Sequence, residues 1–115
     1  MSSTLHTALA ARRWQELTLL EQLANIGSEV GRATRAKSLG NEQRLANALD
    51  RCLELFDLTL ADDRWYRRRR EIARAREVVC DFLVGDNDAR STAESLDAYF
   101  LPFAVAARTV RPATT

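Results

Sequence analysis

The chain has 115 residues, of which 46% are hydrophobic and 29% charged, a size and composition that fit one globular domain and exclude a second independent core. A formal net charge of +1 excludes strong overall attraction to nucleic acid or acidic membrane, so only a local patch could provide it. Both prolines lie beyond residue 100, and the preceding sequence holds few helix breakers. We therefore predict an all-α protein.

The first predicted helix runs from about Arg12 to Ser38, and Gly40 follows as its C-terminal stop. Apolar and small residues recur at helical spacing along it and form one broad face. They are Leu17, Leu20, Leu23, Ala24, Gly27, Val30, Gly31 and Thr34. Trp14 lies outside this face, and Leu19 and Ile26 lie at its edge. We expect contact between subunits to cover these three side chains, because soluble monomers rarely expose a large apolar patch.

The second helix is predicted from the N-cap Asn41 to Leu60. The third is predicted from about Arg64 to Val84, with Asp63 as its cap and Gly85 as its stop.

A fourth helix is predicted after residue 90. Ser91 and Glu94 have the spacing of a capping box, and Pro102 is expected to kink the helix. Short connections favour antiparallel neighbours, so we predict an antiparallel, up-down-up-down four-helix bundle. It would form a single domain over residues 1–115, with disorder in about 1–8 and 110–115.

Targeting and redox features indicate a cytoplasmic protein without a membrane partner. No apolar run approaches the roughly 18 residues that span a bilayer, and the N-terminal sequence lacks a signal-peptide pattern. Cys52 and Cys80 lie singly in apolar helical surroundings, far from a CxxC spacing. We interpret both as reduced core residues. A disulfide between helices is the alternative, and it would indicate an oxidising compartment.

Two segments resemble a known family. Leu23–Arg32, with the sequence LANIGSEVGR, and Ala48–Leu55, with the sequence ALDRCLEL, are similar to the 23S rRNA intervening-sequence proteins, which are small four-helix bundles. The wider group resembles the accessory variability determinant of diversity-generating retroelements, a basic bundle that forms a pentameric barrel and binds a reverse transcriptase. The resemblance implies a four-helix bundle from a cytosolic, pentameric branch, and hence a ring-like homo-oligomer.

The sequence contains little that could support catalysis. Its single histidine, His6, lies in the predicted disordered N-terminus, so one chain cannot assemble a Ser-His-Asp, Cys-His or zinc constellation. Glu-x-x-His pairs and glycine-rich phosphate loops are missing. Asp50, Glu54 and Asp57 share one face of the second helix, which we interpret as solvated or salt-bridged surface rather than a catalytic acid pair. We predict a protein that is not an enzyme and has no cofactor and no metal.

Ala24, Gly27 and Gly31 form a stripe of small residues on the first helix. Each glycine costs roughly 1 kcal/mol relative to alanine in a helix, so a close contact should offset it. We interpret the stripe as tight packing inside the bundle. Contact between subunits and room for a ligand are the alternatives.

The run Arg67–Arg70, with further arginines on either side, is the strongest charge feature. Positive charge in the first turns of a helix opposes its dipole, so we expect an external reason for it. Arg67, Arg70 and Arg74 fall on one side of the third helix and form the candidate contact with a protein or nucleic-acid partner.

Two other arginines fall near the apolar stripe. For Arg68 and Arg76 we predict interhelical or intersubunit salt bridges with carboxylates such as Glu54, Asp57 or Glu29.

These observations favour a non-enzymatic, homo-oligomeric helical scaffold or interaction module that binds other copies of itself and another macromolecule. An RNA- or DNA-binding accessory protein that uses the arginine patch is the alternative. A third class, an enzyme with a carboxylate site between subunits, would require a deep polar pocket with at least two converging acids.

Overall fold

The computed structural model describes residues 11–110. Nearly all of this range is helical and contains no strand, which confirms the all-α class. We number the longer helices in chain order as α1 (Leu19–Ser38), α2 (Glu42–Leu60), α3 (Arg69–Val84) and α4 (Ala93–Val110). A short helical stretch at 11–15 precedes α1, and a 3₁₀ segment, Asp63–Arg68, precedes α3. None of the helices in the described range is long and apolar enough to cross a membrane.

The predicted first helix is divided near its beginning. Residues 11–15 are helical, but α1 starts only after the N-cap Thr18. The Thr18 hydroxyl accepts a hydrogen bond from the Glu21 amide, and the Glu21 carboxylate accepts one from the Thr18 amide. This reciprocal pair satisfies two amides that the helix itself leaves unpaired. The prediction of a continuous helix from Arg12 was therefore wrong. The sequence signal for the later start is Thr18 followed three residues later by Glu21.

The junction between α1 and α2 follows the prediction. Gly40 has a φ of +70°, the left-handed conformation in which glycine is favoured after a helix. The Asn41 amide donates to the Ala36 carbonyl at 2.9 Å, which closes the end of α1. The Asn41 side chain then accepts from the Arg44 amide at 3.0 Å and caps α2. Both roles require contacts only a few residues apart, which explains why the sequence predicted them.

The predicted third helix does not begin as an α-helix. Asp62, rather than Asp63, is the cap, and its carboxylate accepts from the Arg64 amide. Trp65 interrupts the helical geometry with φ and ψ of −103° and 22°. Because α3 begins at Arg69, the arginines before it lie in the 3₁₀ segment and not in the first turns of an α-helix.

The cap of α4 lies one residue later than predicted. Thr92 and Ser95 exchange hydrogen bonds, each backbone amide donating to the other's hydroxyl at 2.9 Å. The capping box of Ser91 and Glu94 was therefore wrong. Ser91 instead pairs with Asn87 in the preceding loop, donating its amide to the Asn87 side-chain oxygen at 2.8 Å.

α4 continues through Pro102 to Val110. The kink expected at Pro102 stays a prediction. The disorder predicted for residues 1–8 and for the tail concerns, apart from Val110, positions outside the described range.

α1 lies between two neighbours, since it packs mainly against α2 and α4, while α3 packs against α2. All four helices contribute to one buried core. Its largest apolar members include Leu23, Ile26, Val30, Leu55, Phe56, Ile72, Val79, Leu83, Leu96 and Phe100.

The apolar patch expected on α1 is not exposed. Trp14 and Ile26 are 7% and 0% exposed, and Leu19 packs against the core. The expectation that a second subunit covers them was wrong, because the chain's own segments do so. α1 packs against both α2 and α4, and the Trp14 indole donates to Thr59 near the end of α2.

Candidate interaction surfaces

The predicted contact residues Arg67, Arg70 and Arg74 are all exposed. Within the described range, none of the three makes an ion pair or a side-chain hydrogen bond. The neighbouring Arg69 differs, because its guanidinium donates to the Leu60 carbonyl at 3.1 Å. We call Arg67, Arg70 and Arg74 the arginine patch. Its charges are available to a partner.

The predicted salt bridges are realised in part. Arg76 pairs with Asp57 at 3.0 Å and joins α3 to α2. Arg68 does not reach across helices, because it pairs with Glu71 in the next turn at 2.6 Å.

Glu54 likewise pairs within its own helix, with Arg51 at 2.9 Å. The interhelical pairing predicted for Arg68 and for Glu54 was therefore wrong for the described residues, and pairing between subunits stays a prediction. In both cases a local pairing three residues away fixes the side chain with less chain ordering than a distant one requires.

An exposed aromatic side chain accompanies the arginine patch. Tyr66 is 68% exposed and directly precedes Arg67. The Arg69 guanidinium lies 5.6 Å from the centre of its ring. An aromatic ring beside several arginines is a common surface for stacking of unpaired bases. The sequence contained this signal, since the tyrosine adjoins the arginine run.

A buried polar network supports the segment that bears the patch. The Trp14 indole donates to the Thr59 hydroxyl at 2.8 Å, and the Gln22 amide donates to the Trp14 carbonyl at 2.8 Å. The Trp65 indole donates to the Gln22 side-chain oxygen at 2.9 Å. These bonds connect the N-terminal stretch, α1, the end of α2 and the 3₁₀ segment. No buried side-chain polar atom in the described structure lacks a partner, so the network is structural.

Asp62 extends this network to the surface. Its carboxylate is buried and binds the Arg64 guanidinium, with the shortest contact at 2.7 Å. The same guanidinium donates to the Leu17 carbonyl at 2.8 Å. The hydrogen bond from Arg64 holds the pKa of the Asp62 carboxyl below its usual range, although burial acts in the opposite direction.

The small-residue stripe has two different environments. A Cβ atom on Gly27 would lie 2.7 Å from the Phe100 Cβ, which is closer than two such atoms can approach. At Gly31 a Cβ would meet nothing within 4 Å. Gly27 therefore serves the contact between α1 and α4, whereas Gly31 faces open space. Ala24 lies near Gly27 and is half-buried.

The open space beside Gly31 is a groove of about 980 Å³ between α1, the start of α2 and the start of α4. Arg35 and Arg44 lie along it, and Glu94 and Asp97 belong to its α4 wall. The groove opens broadly to solvent.

The described range contains no cluster of side chains suited to a metal ion. No group of three or more histidine, cysteine or acidic side chains there could hold a metal ion. Of the three acids that share a face of α2, Asp57 pairs with Arg76 as above, and Asp50 is exposed.

The two cysteines differ in burial. Both are free thiols, Cys52 buried and Cys80 only partly so. Burial, with smaller effects from Glu29 and Cys80, raises the pKa of the Cys52 thiol to about 12. Burial also raises the pKa of Cys80. Cys52 is thus a core residue as predicted, whereas Cys80 lies at the edge of the core.

The outer face of α4 is apolar and exposed. Leu101 and Val105 are 59% and 47% exposed, and Ala98 and Pro102 are exposed beside them. The opposite face of the same helix places Phe100 in the core. The sequence had indicated only the inner face, because an apolar outer face interrupts the alternation that periodicity measures.

Comparisons with known proteins add no relatives to these observations. The sequence matches no protein-family model, and no curated protein or solved structure is found to match it.

Proposed function

We propose that the protein is a non-enzymatic, homo-oligomeric helical scaffold that presents the arginine patch to another macromolecule. The observation that supports it best is the exposed outer face of α4, where Leu101 and Val105 lie in solvent. A helix that is apolar all round usually packs on both sides, and contiguous exposed apolar surface usually marks an interaction site. Self-association would bury this face.

The proposal includes the arrangement and location expected from the sequence. Short connections and the Arg76–Asp57 bridge support an up-down-up-down order of the four helices. The ring form and the family assignment depend on the resemblance of Leu23–Arg32 and Ala48–Leu55. A cytoplasmic location depends on the interpretation of both cysteines as reduced thiols.

Light scattering during size-exclusion chromatography tests the scaffold directly. The chain has a mass of 13.0 kDa, and we expect a multiple of this value that persists on dilution to the micromolar range. A single species of 13.0 kDa at every concentration would contradict the proposal.

Nucleic-acid binding is the second candidate function, and the position of Tyr66 beside the arginine patch specifically favours it. The ring can stack on an unpaired base while the arginines contact phosphates. Because single-stranded nucleic acid fits this combination better than a duplex does, the probe should be a labelled single-stranded RNA or DNA oligonucleotide.

Fluorescence anisotropy at increasing salt distinguishes the two functions. If the patch binds nucleic acid, the affinity falls steeply with salt. For each phosphate contact, log K decreases by about 0.7 for every tenfold increase in salt concentration. Changing Arg67, Arg70 and Arg74 to alanine should abolish binding. The matched control changes Arg13, Arg35 and Arg44, which are also exposed, and should retain most of it. Equal losses in the two variants, or binding insensitive to salt, would exclude a specific nucleic-acid site.

A further inference from the structure

We propose that two copies of the chain associate through α4 as an antiparallel helix pair, with a two-fold axis at Leu101. This inference rests on the self-association proposed above, identifies the surface that forms it, and takes a two-fold pair in place of the ring form. Four observations support it: the spacing of the exposed residues, their charges, a groove beside them and the absence of competing contacts.

The exposed residues of α4 follow the spacing of a helix-pairing seam. Glu94, Ala98, Leu101, Val105 and Arg108 are all exposed and are separated alternately by four and three residues. This alternation places side chains in one line along a helix and is the pattern by which two helices interlock. The line covers 15 residues, or about 21 Å at 1.5 Å per residue. We call these five residues the α4 seam.

The charges at the ends of the seam favour the antiparallel direction. With Leu101 on the axis, Glu94 lies opposite the partner's Arg108, and Ala98 lies within one residue of the position opposite the partner's Val105. A parallel pair would place each acid against an acid and each arginine against an arginine, which is repulsive. Neither Glu94 nor Arg108 takes part in an ion pair anywhere in the described structure. Both are therefore available for pairing with a second copy.

A shallow groove lies beside the seam and can receive a side chain such as Leu101, the central residue of the seam. The groove holds about 430 Å³ between α1 and α4, and small residues form much of its wall. They are Ala24, Gly27, Ser28, Ala98 and Ala104. Leu101 projects at its edge. In a two-fold pair each copy offers the same surface, so each Leu101 can enter the groove of the other copy.

Two charge substitutions test the seam. Leu101→Glu buries two carboxylates against each other on the axis, so the mass should fall to 13.0 kDa. Val84→Glu is the matched control, because Val84 is 62% exposed on α3 and should leave the mass unchanged. Circular dichroism establishes that both variants keep their helical content.

Charge reversal tests the direction of pairing. Arg108→Glu alone should weaken association, because it replaces attraction by repulsion at both ends of the seam. Adding Glu94→Arg should restore the original affinity. Failure of the double variant to recover would exclude the antiparallel alignment.

Cross-linking tests the two-fold axis. A residue on such an axis meets its own copy, so Leu101→Cys should form a covalent dimer under mild oxidation, whereas Val84→Cys should not. The unchanged chain, with its own two cysteines, provides the background.

The outcomes separate this inference from the scaffold proposal. If the unchanged chain associates but Leu101→Glu keeps the full mass, or if the mass equals five copies, the α4 seam is overturned and the scaffold proposal stands. If the unchanged chain is monomeric at all concentrations, both are overturned.

Discussion

At the scale of single residues, Gly27 and Gly31 show how one sequence pattern can have two physical meanings. They lie one helical turn apart, and spacing alone assigns them to the same stripe. Gly27 is required by the close approach of Phe100, whereas Gly31 has empty space where a side chain would stand. The neighbouring helix, and not the local sequence, makes this difference.

Alanine substitution should therefore have opposite effects at the two glycines. Gly31→Ala should raise the free energy of unfolding by about 0.5–1 kcal/mol, because alanine costs less helix entropy and meets no neighbour. Gly27→Ala should lower it by about 1–3 kcal/mol, because the added methyl forces Phe100 from its place. Urea denaturation followed by circular dichroism measures both. Stabilisation by Gly27→Ala would show that α4 does not pack there.

The neighbouring arginines also differ from one another in their pairing. Arg68, Arg70 and Arg74 belong to one basic stretch, yet among the described residues only Arg68 of these three has an ion-pair partner, Glu71. Some arginines of the cluster form ion pairs, and the arginine patch consists of arginines that form none in the described structure.

At the scale of elements, the buried network joins segments that periodicity treats as separate. Gln22 on α1 contacts Trp14 before it, and Trp65 and Asp62 after α2. A buried network with all its groups paired fixes the relative positions of its elements, because each misplacement leaves a polar group without a partner. It therefore holds the arginine-bearing segment against α1.

The Asp62 carboxylate gives this network a pH dependence. Its pKa is lowered from 3.8 in the folded protein, so the unfolded chain takes up the proton first as pH falls. The stabilisation is present above about pH 4 and is lost at lower pH as the folded-state pKa is passed. Asp62→Asn should therefore be less stable than the unchanged protein at neutral pH, by about 1–3 kcal/mol, and should lose less stability on acidification.

Urea denaturation at several pH values from 7 to about 2.5 measures both effects. Asp63→Asn is the matched control, since the Asp63 side chain is 99% exposed and its neutralisation should change stability little. Identical pH profiles for Asp62→Asn and the unchanged chain would show that Asp62 is not paired in the folded state.

At the scale of the whole molecule, α1 is central because it packs against both α2 and α4. The accessibility of the two cysteines measures how well the core is packed. Cys52 is 0% exposed, while Cys80 lies at the edge. A thiol reacts as its thiolate, so burial and a raised pKa both slow modification.

Thiol labelling should therefore occur in two phases. In the folded protein at pH 8, a reagent such as dithionitrobenzoate should modify Cys80 first and Cys52 only as fast as the chain opens. Cys80→Ser should leave the slow phase, and Cys52→Ser the faster one. The slow phase should accelerate in urea in proportion to the unfolded population. Rapid modification of Cys52 without urea would contradict its burial in a packed core.

The helical class, the end of α1 at Gly40 and the cap at Asn41 follow from local sequence, because each depends on bonds spanning at most a few residues. Local sequence was less decisive at the start of α4, where either Ser91 or Thr92 could act as the N-cap. The Ser91 amide donates to the Asn87 side chain, and Thr92 is the cap.

Which apolar surfaces are covered depends on how the helices pack against each other. Ile26, at the edge of a predicted face, is fully buried, whereas Leu101, on the more apolar helix α4, is exposed. Likewise, Gln22 and Asp62 meet across 40 residues of chain. The physical reason is that periodicity records which side chains share a face of one helix, while burial depends on where the other helices lie. The candidate site follows the same division: the sequence identified the arginine patch, and the packing of α4 revealed the seam.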